Sequence, residues 1–114
     1  MAPVIVLTTV AADFDARPLA RSLVEQRLAA CVNIVAGVTS IYRWKGQVEE
    51  EREQLLVIKT LEANVDALRN ELLARHPYEV PEFLVLPVAS TSEAYGAWLL
   101  ESAGKVRANR VVSS

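Results

Sequence analysis

The sequence predicts an α+β fold: a ferredoxin-like β-α-β-β-α-β sandwich with one long β-hairpin and an extra C-terminal helix. Three observations lead to this prediction. Apolar, β-branched runs and amphipathic segments follow one another as strand, helix, two strands, helix and strand. The two middle strands meet at a short polar turn at Lys45 and Gly46. An S-x-x-E sequence beginning at Ser90 opens a third helical segment after the last strand.

Length and composition indicate one ordinary globular domain, because the 114 residues are 52% hydrophobic and 23% charged. We predict a single domain at 1–103 and a poorly ordered tail at 104–114. The net charge of -2 gives no electrostatic reason to expect nucleic acid. The single cysteine allows no intrachain disulfide and is compatible with a reducing compartment. The first residues show neither a basic leader nor a long apolar run, so we expect a cytoplasmic protein without membrane contact.

The first strand and helix are predicted from a continuous apolar run and the stripe that follows it. The run from Val4 to Val10 is typical of a central strand that is buried on both faces. Asp15 is the predicted N-cap of the helix, because Pro18 then falls in the first turn, where its missing N–H costs nothing. The apolar residues of the helix share one face, which we expect to pack on the sheet: Leu19, Ala20, Leu23, Val24 and Leu28.

The segment from Ala29 to Thr60 is predicted to form one long β-hairpin. Each arm has about 14 residues and spans roughly 45 Å at about 3.3 Å per residue, whereas a globule of this size has a radius of gyration of about 13 Å. The outer part must therefore overhang, and it carries Tyr42 and Trp44 into water unless another molecule covers them. We predict a homo-oligomer with strand exchange. The alternative is a bulge near Gly37 that folds the arm back onto its own domain.

A second amphipathic helix follows the hairpin and ends at His76, because Pro77 disfavours helical geometry at the residue before it. Its apolar residues recur at helical spacing: Leu61, Val65, Leu68 and Leu72. The last strand is predicted from Phe83 to Val88, at a sheet edge where Pro87 need not donate a hydrogen bond.

The third helix is predicted to begin with a capping box of Ser90 and Glu93. Tyr95, Trp98 and Leu99 then share one of its faces. The stretch HPYEVP between the second helix and the last strand is predicted to be a stiff connector.

Candidate metal ligands are few. His76, the only histidine, stands at a helix C-terminus, where the helix dipole and Glu79 or Glu82 would favour its charged form. One interpretation makes His76 and Glu79 ligands of a weak copper or zinc site, and the other makes His76 a structural cap. Cys31 is most simply a small buried apolar residue, and ligation of a soft metal is its alternative.

The family resemblance described below implies a trimer, and a cleft between the subunits of such a trimer is the second candidate site. Its predicted residues combine aromatic walls, one cation and one anion: Trp44, Lys59, Tyr78, Glu82 and Trp98, together with Cys31. The alternative makes the tryptophans interface anchors and Lys59 with Glu82 a salt bridge. Alternation along the second arm puts Glu49, Glu51 and Glu53 on one face, either to attract divalent cations or as a solvated face.

Five stretches of the sequence occur in a characteristic order: AACVN at 29–33, TSIYRWKG at 39–46, IKT at 58–60, HPYEVPE at 76–82 and LP at 86–87. Together they resemble the CutA family of divalent-cation tolerance proteins, and the resemblance runs from about Val4 to the third helix. It implies a ferredoxin-like subunit in a homotrimer whose hairpins wrap across neighbouring subunits, similar to trimeric nitrogen-regulatory signalling proteins.

The resemblance also implies tolerance of copper and other divalent cations, without an established reaction and without an organic cofactor. Bacterial members are described as binding copper through a cysteine late in the first strand and two histidines at the end of the second helix. The matching positions here are Thr8, Arg75 and His76. We expect metal to bind weakly or at sites completed by assembly.

An alternative function is a small-molecule-binding or signalling trimer whose intersubunit clefts hold a small anionic ligand. The sequence has no nucleophile elbow, glycine-rich phosphate loop or recognisable triad, and we expect no enzymatic activity.

Overall fold

A computed structural model describes residues 2–104, which form the predicted α+β fold. The elements are β1 (Pro3–Ala11), α1 (Arg17–Glu25), β2 (Cys31–Trp44), β3 (Gln47–Leu61), a short 3-10 turn (Glu62–Asn64), α2 (Val65–Arg75), β4 (Leu84–Pro87) and α3 (Glu93–Ala103). The predicted order of strands and helices is confirmed. The predicted tail at 104–114 lies, apart from Gly104, outside the described residues.

The four strands form one antiparallel sheet in the order β2-β3-β1-β4, which puts β1 inside the sheet and β4 at its edge, as predicted. Along β1, Val4, Val6, Thr8 and Val10 are buried and the residues between them are only half-buried. The prediction that β1 is buried on both faces is therefore wrong for a single chain. The physical reason is that α1 and α2 cover only one face of the sheet.

The main core lies between that face and the two helices. It joins alternate residues of β1 and β3 to both helices: Val4, Val6, Val10, Leu56 and Ile58 pack with Leu19, Leu23, Leu68 and Leu72. Val24, which was predicted to belong to the buried stripe of α1, is 40% exposed because it lies beyond the edge of this contact. At one end of the opposite face, α3 packs through Leu99 and Ala103 against Leu61.

The hairpin stays paired over its whole length, from Cys31 opposite Lys59 to Trp44 opposite Gln47. Lys45 and Gly46 both have positive φ angles, of 51° and 80°, as a two-residue hairpin turn that matches the strand twist requires. A register shift does occur between Val35 and Val38, where Gly37 has a φ of 78°. The arm nevertheless continues to its tip, and the molecule measures 57 × 27 × 22 Å. The predicted overhang is confirmed.

Two helix caps differ from the prediction. The N-cap of α1 is Ala16, without a side-chain cap, because Asp15 instead accepts the Arg17 N–H at 3.2 Å and pairs with the Arg17 guanidinium at 2.9 Å. The N-cap of α3 is Ser92, whose Oγ accepts the Tyr95 N–H at 3.3 Å, so the predicted Ser90 box does not form. The prediction missed the cap because residues 90–92 all carry a hydroxyl group, and each of them could have capped the same helix.

A buried polar cluster ties the C-terminus of α3 to the rest of the domain. The Asn64 Nδ2 group donates to the Ala103 carbonyl at 2.8 Å, the Thr60 Oγ1 at 3.1 Å and the Arg27 carbonyl at 3.4 Å. The Arg27 guanidinium donates to the Gly104 carbonyl at 2.9 Å and also to the Glu101 carbonyl. The last carbonyls of α3 thus receive donors that the helix itself lacks.

Replacing Asn64 by alanine should lower the free energy of unfolding by about 1–3 kcal/mol, because the buried Ala103 carbonyl would lose its donor. Urea unfolding followed by circular dichroism measures this. Asn70→Ala is the matched control, since Asn70 is exposed on α2. Equal stability of the two variants would show that the cluster contributes nothing.

Candidate functional site

An open cleft of about 730 Å³ lies between the outer hairpin and the connector that follows α2. We call it the acidic cleft. Five glutamates and three aromatic residues line it: Glu49, Glu51, Glu53, Glu79 and Glu82, with Tyr42, Trp44 and Tyr78. Among residues 2–104, no lysine or arginine contributes to its walls. The cleft therefore has a strongly negative and partly aromatic interior.

Strand register explains why these groups meet. Glu49, Glu51 and Glu53 lie on one face of β3, because the residues between them point to the other face. Their partners on β2 are Tyr42, Ser40 and Val38. The predicted acidic face is thus confirmed, on the side of the sheet opposite to α1 and α2. The Tyr42 hydroxyl donates to Glu51 Oε1 at 2.9 Å, and this bond raises the pKa of Tyr42. Sequence reasoning missed Tyr42 as a cleft residue, although counting outward from the turn would have placed it there.

Glu53 is the most enclosed carboxylate of the acidic cleft, with only 6% of the residue exposed. The Tyr78 hydroxyl donates to its Oε2 at 2.5 Å. Burial, and then the bond to Glu53, raise the pKa of Tyr78 above its ordinary value. The interpretation of the glutamate run as a solvated face is therefore wrong at Glu53, because the connector folds over it.

Glu82 lies on the same connector, where burial and the nearby charge of Glu53 raise its pKa. Two carboxylates that line one cleft oppose each other's ionisation. A bound cation would relieve that repulsion.

His76 lies beside the acidic cleft with both ring nitrogens in hydrogen bonds. Its Nδ1 accepts the Tyr78 N–H at 3.1 Å, so Nε2 carries the proton and donates to the Thr9 carbonyl at 2.9 Å. Burial lowers its pKa, so the prediction that its charged form is favoured is wrong. Desolvation of the ring outweighs the hydrogen bond to the Thr9 carbonyl and the charge of Glu53, both of which favour the charged form. Metal ligation by His76 would require one of these two bonds to break.

The three positions that match the described copper ligands are only partly together. The Thr8 Oγ1 lies 3.3 Å from the His76 Nε2, whereas Arg75 pairs with Glu71 at 3.6 Å. In the part of the chain that the structure describes, no three His, Cys, Asp or Glu side chains are grouped to hold a metal ion.

No helix of residues 2–104 is long and apolar enough to cross a membrane.

The other predicted cleft residues lie elsewhere in the chain. Lys59 lines a separate groove of about 410 Å³ with Tyr95 and Leu99. Trp98 packs on Tyr95, with ring centroids 5.3 Å apart, and half-buried Cys31 pairs with Lys59 across the strands. The structure therefore joins Trp44, Tyr78, Glu82 and Glu79, and leaves out Lys59, Trp98 and Cys31. The Lys59–Glu82 salt bridge is not among the ion pairs of the described residues.

Comparison with known proteins assigns the family. Residues 4–102 match the family described as CutA1 divalent ion tolerance protein. The chain belongs to this family. The divalent-cation tolerance protein CutA of Thermus thermophilus is 50% identical over 100 residues, which cover 88% of this chain and 97% of that relative. The resemblance seen in the sequence is confirmed.

Two further relatives agree. The crystal structure of CutA1 from Oryza sativa has a TM-score of 0.87 at 40% identity and covers 93% of this chain and 97% of that one. The chloroplastic CutA protein of Arabidopsis thaliana is 41% identical over 99 residues, covering 87% of this chain and 54% of its own length. The chain thus spans about half of that relative.

The lowered pKa of His76 predicts a specific pH dependence of stability. Because the unfolded histidine has the ordinary pKa of 6.5, the unfolded chain binds the proton first as the pH falls. Stability should be independent of this group above pH 6.5 and should decrease below it. Urea unfolding of the wild type and His76→Gln at several pH values checks this.

The difference in stability between the wild type and this variant should shrink as the pH falls. Since the sequence contains a single histidine, no other imidazole contributes. A difference that grows toward acid pH would contradict the buried, neutral ring.

Proposed function

We propose that the protein is a non-enzymatic homotrimer that supports divalent-cation tolerance by weak binding of cations, copper among them, at the acidic cleft. The observation that carries the proposal is the lining of this cleft by five glutamates without a basic side chain from residues 2–104. The name of the Thermus thermophilus relative, a divalent-cation tolerance protein, supports the same reading.

The chemistry of the donors fits divalent cations. Carboxylate oxygens are ligands for hard cations, and Cu²⁺ binds most tightly among the common divalent ions at a given nitrogen or oxygen site. The glutamates of the described residues are not grouped closely enough for one ion to be fully ligated within a single chain. Binding is therefore weak, or it is completed by a second copy. Ligation by His76 and Glu79 stays a prediction.

Exposed apolar surface supports the homotrimer. On the overhanging hairpin, Ile41 and Val48 are 67% and 66% exposed. The edge strand β4 and the outer face of α3 add further large exposed residues: Leu84, Val85, Leu86, Tyr95 and Trp98. Surface of this kind on an unpaired sheet edge marks a protein contact. The threefold number comes from the family resemblance, and the apolar surface supplies the reason to assemble.

The alternative function, a signalling trimer that holds a small anion, would need a binding site other than the acidic cleft. The acidic cleft repels anions, whereas the groove beside Lys59 contains the hydroxyl residues Ser90, Thr91 and Ser92 at the start of α3. This groove keeps the alternative as a second candidate.

The cytoplasmic location also remains a proposal. The single cysteine suits a reducing compartment. The Arabidopsis thaliana relative is named as chloroplastic, so location varies among the relatives.

Light scattering at micromolar concentration should give a mass about three times the 12.5 kDa of the chain. Val48→Asp should lower this mass, because a charge would be buried in the contact. Val24→Asp is the matched control, since Val24 is an exposed valine of α1, away from the hairpin. A wild-type monomer would contradict the assembly.

Copper titration tests the site. The double variant Glu49→Gln and Glu51→Gln should weaken Cu²⁺ binding by about tenfold, or about 1.4 kcal/mol, through loss of carboxylate ligands. Glu50→Gln is the matched control, because Glu50 lies on the opposite face of β3. His76→Ala tests the separate prediction that His76 is a ligand, and equal affinity of this variant and the wild type would exclude His76 from the site. A loss in His76→Ala alone would move the site to the histidine.

A further inference from the structure

Helix α3 packs on the domain through a small apolar contact of its own. Its Leu99 and Ala103 are buried against Ala30 and Leu61, and this cluster shares no residue with the main core between the sheet and the other two helices. Helix α3 buries one leucine, whereas α1 and α2 each bury two. Because burial of apolar surface is the main force that holds a helix on a sheet, α3 is held more weakly than α1 and α2.

The segment before α3, residues 89–92, is bound to little except the helix itself. The backbone bond that precedes it runs from the Val88 N–H to the Pro3 carbonyl, at 3.1 Å. Residues 89–92 are exposed, and the hydrogen bonds that they make within residues 2–104 all go to the first turn of α3. Since Ser92 supplies the N-cap, the start of α3 needs no partner from the rest of the domain. This segment can therefore act as a hinge.

The C-terminal end of α3 is instead held by side chains from the rest of the domain. The Arg27 guanidinium donates to the Gly104 carbonyl at 2.9 and 3.1 Å, and it also donates to the Glu101 carbonyl. The Asn64 Nδ2 donates to the Ala103 carbonyl at 2.8 Å. Among the described residues, the hydrogen bonds between the domain and residues 93–104 all lie in this last turn. The two ends of α3 are thus held in different ways.

Arg27 makes these contacts from an unusual backbone conformation. It follows the C-terminal end of α1 with a φ of 61°, in the left-handed region that glycine usually occupies at this position of a helix end. The turn is closed by the Leu28 and Ala29 N–H groups, which donate to the Leu23 carbonyl at 3.0 and 3.2 Å. A glycine would form the same turn without strain. The contribution that an arginine adds here is its contact with α3.

We infer that α3 is a strap that opens from the sheet on the hinge at 89–92 while the main core stays folded, and that Arg27 holds it closed. A helix that is capped by its own residues at one end and by a single neighbouring arginine and asparagine at the other can be released at the second end first. This goes beyond the proposed function, because it assigns the chain a moving element outside the acidic cleft.

Opening of the strap would change two surfaces at once. In the groove beside Lys59, Lys59 and Ile5 belong to the sheet, whereas Tyr95 and Leu99 belong to α3, so the groove is complete only when the strap is closed. Tyr95 and Trp98 also belong to the exposed apolar surface through which we propose that copies assemble. A ligand in the groove and contact with a second copy would therefore both favour the closed strap.

Amide hydrogen exchange of the full chain tests the inference. An isolated helix of 11 residues is marginal in water, so α3 should lose its protection whenever the strap opens. Its amides should exchange together, at least about tenfold faster than the buried amides of β1 and β3. Low concentrations of urea should accelerate their exchange less than that of the sheet, because opening exposes little surface. Exchange of α3 at the rate of β1 and β3 would overturn the inference.

Ile58→Val separates opening of the strap from unfolding of the whole chain. Ile58 is fully buried in the main core, and loss of one methylene there should accelerate exchange of β1 and β3 by about fivefold. Exchange of α3 should not change, because the main core is the same whether the strap is open or closed. Leu72→Ala should give the same pattern with a larger effect. Equal acceleration of α3 and the sheet would show that α3 opens only with the whole domain, against the inference.

Arg27→Met tests the residue that holds the strap closed. The variant keeps an apolar stem but removes the donors to the Gly104 and Glu101 carbonyls, so exchange of α3 should become at least about tenfold faster. Arg21→Met is the matched control, since Arg21 is exposed on α1. Arg27→Gly should also accelerate α3, although it relieves the strain of the turn. Unchanged exchange of α3 in both Arg27 variants would overturn the role of Arg27.

Discussion

The rest of the structure depends on the pairing of β2 with β3, which resumes after the register shift between Val35 and Val38 and continues to the hairpin tip. Each strand satisfies the backbone hydrogen bonds of the other out to Trp44 and Gln47, so the outer hairpin persists without a core beneath it. The helices cannot follow it, because α1 and α2 contact only the inner parts of β1 and β3. Side chains on both faces of the overhanging hairpin do not pack against the core of their own domain, so they are free to make other contacts. The acidic cleft and the exposed apolar residues both come from this one arrangement.

The connector converts the free hairpin face into a cleft. Helix α2 ends before Pro77, and the chain turns so that Tyr78 points its hydroxyl at Glu53. One residue thus contacts two partners, because its N–H also donates to His76. The cleft therefore has one wall from paired strands and one wall from a proline-stiffened segment, and each wall restrains the other through the Tyr78–Glu53 bond.

Features that follow from local periodicity could be predicted from the sequence. The acidic face of β3 needs only the alternation of side chains, and the edge position of β4 follows from Pro87. The lowered pKa of His76 could not be predicted, because it comes from burial of the ring against parts of the chain that are distant in sequence, such as Thr9, 67 positions away. The cap of α3 could not be chosen among three adjacent hydroxyl residues.

The predicted convergence of Lys59 with the cleft failed for a geometric reason. Lys59 shares a sheet face with Glu53, but six positions along a strand correspond to roughly 20 Å at about 3.3 Å per residue. The alternation of side chains along a strand predicts which face of the sheet a residue occupies, but it does not give the distance between two residues on that face.

His76 connects the folded core to the acidic cleft through its neutral form. Its Nε2–H donates to the Thr9 carbonyl on β1, and its Nδ1 accepts from the connector at Tyr78. Protonation would add a second N–H to the ring, at Nδ1, directly against the Tyr78 N–H. The connector would then lose the bond that holds Tyr78 over Glu53. Desolvation of the imidazole therefore does more than stabilise the end of α2, because it keeps the ring in the one protonation state that supports the wall of the cleft.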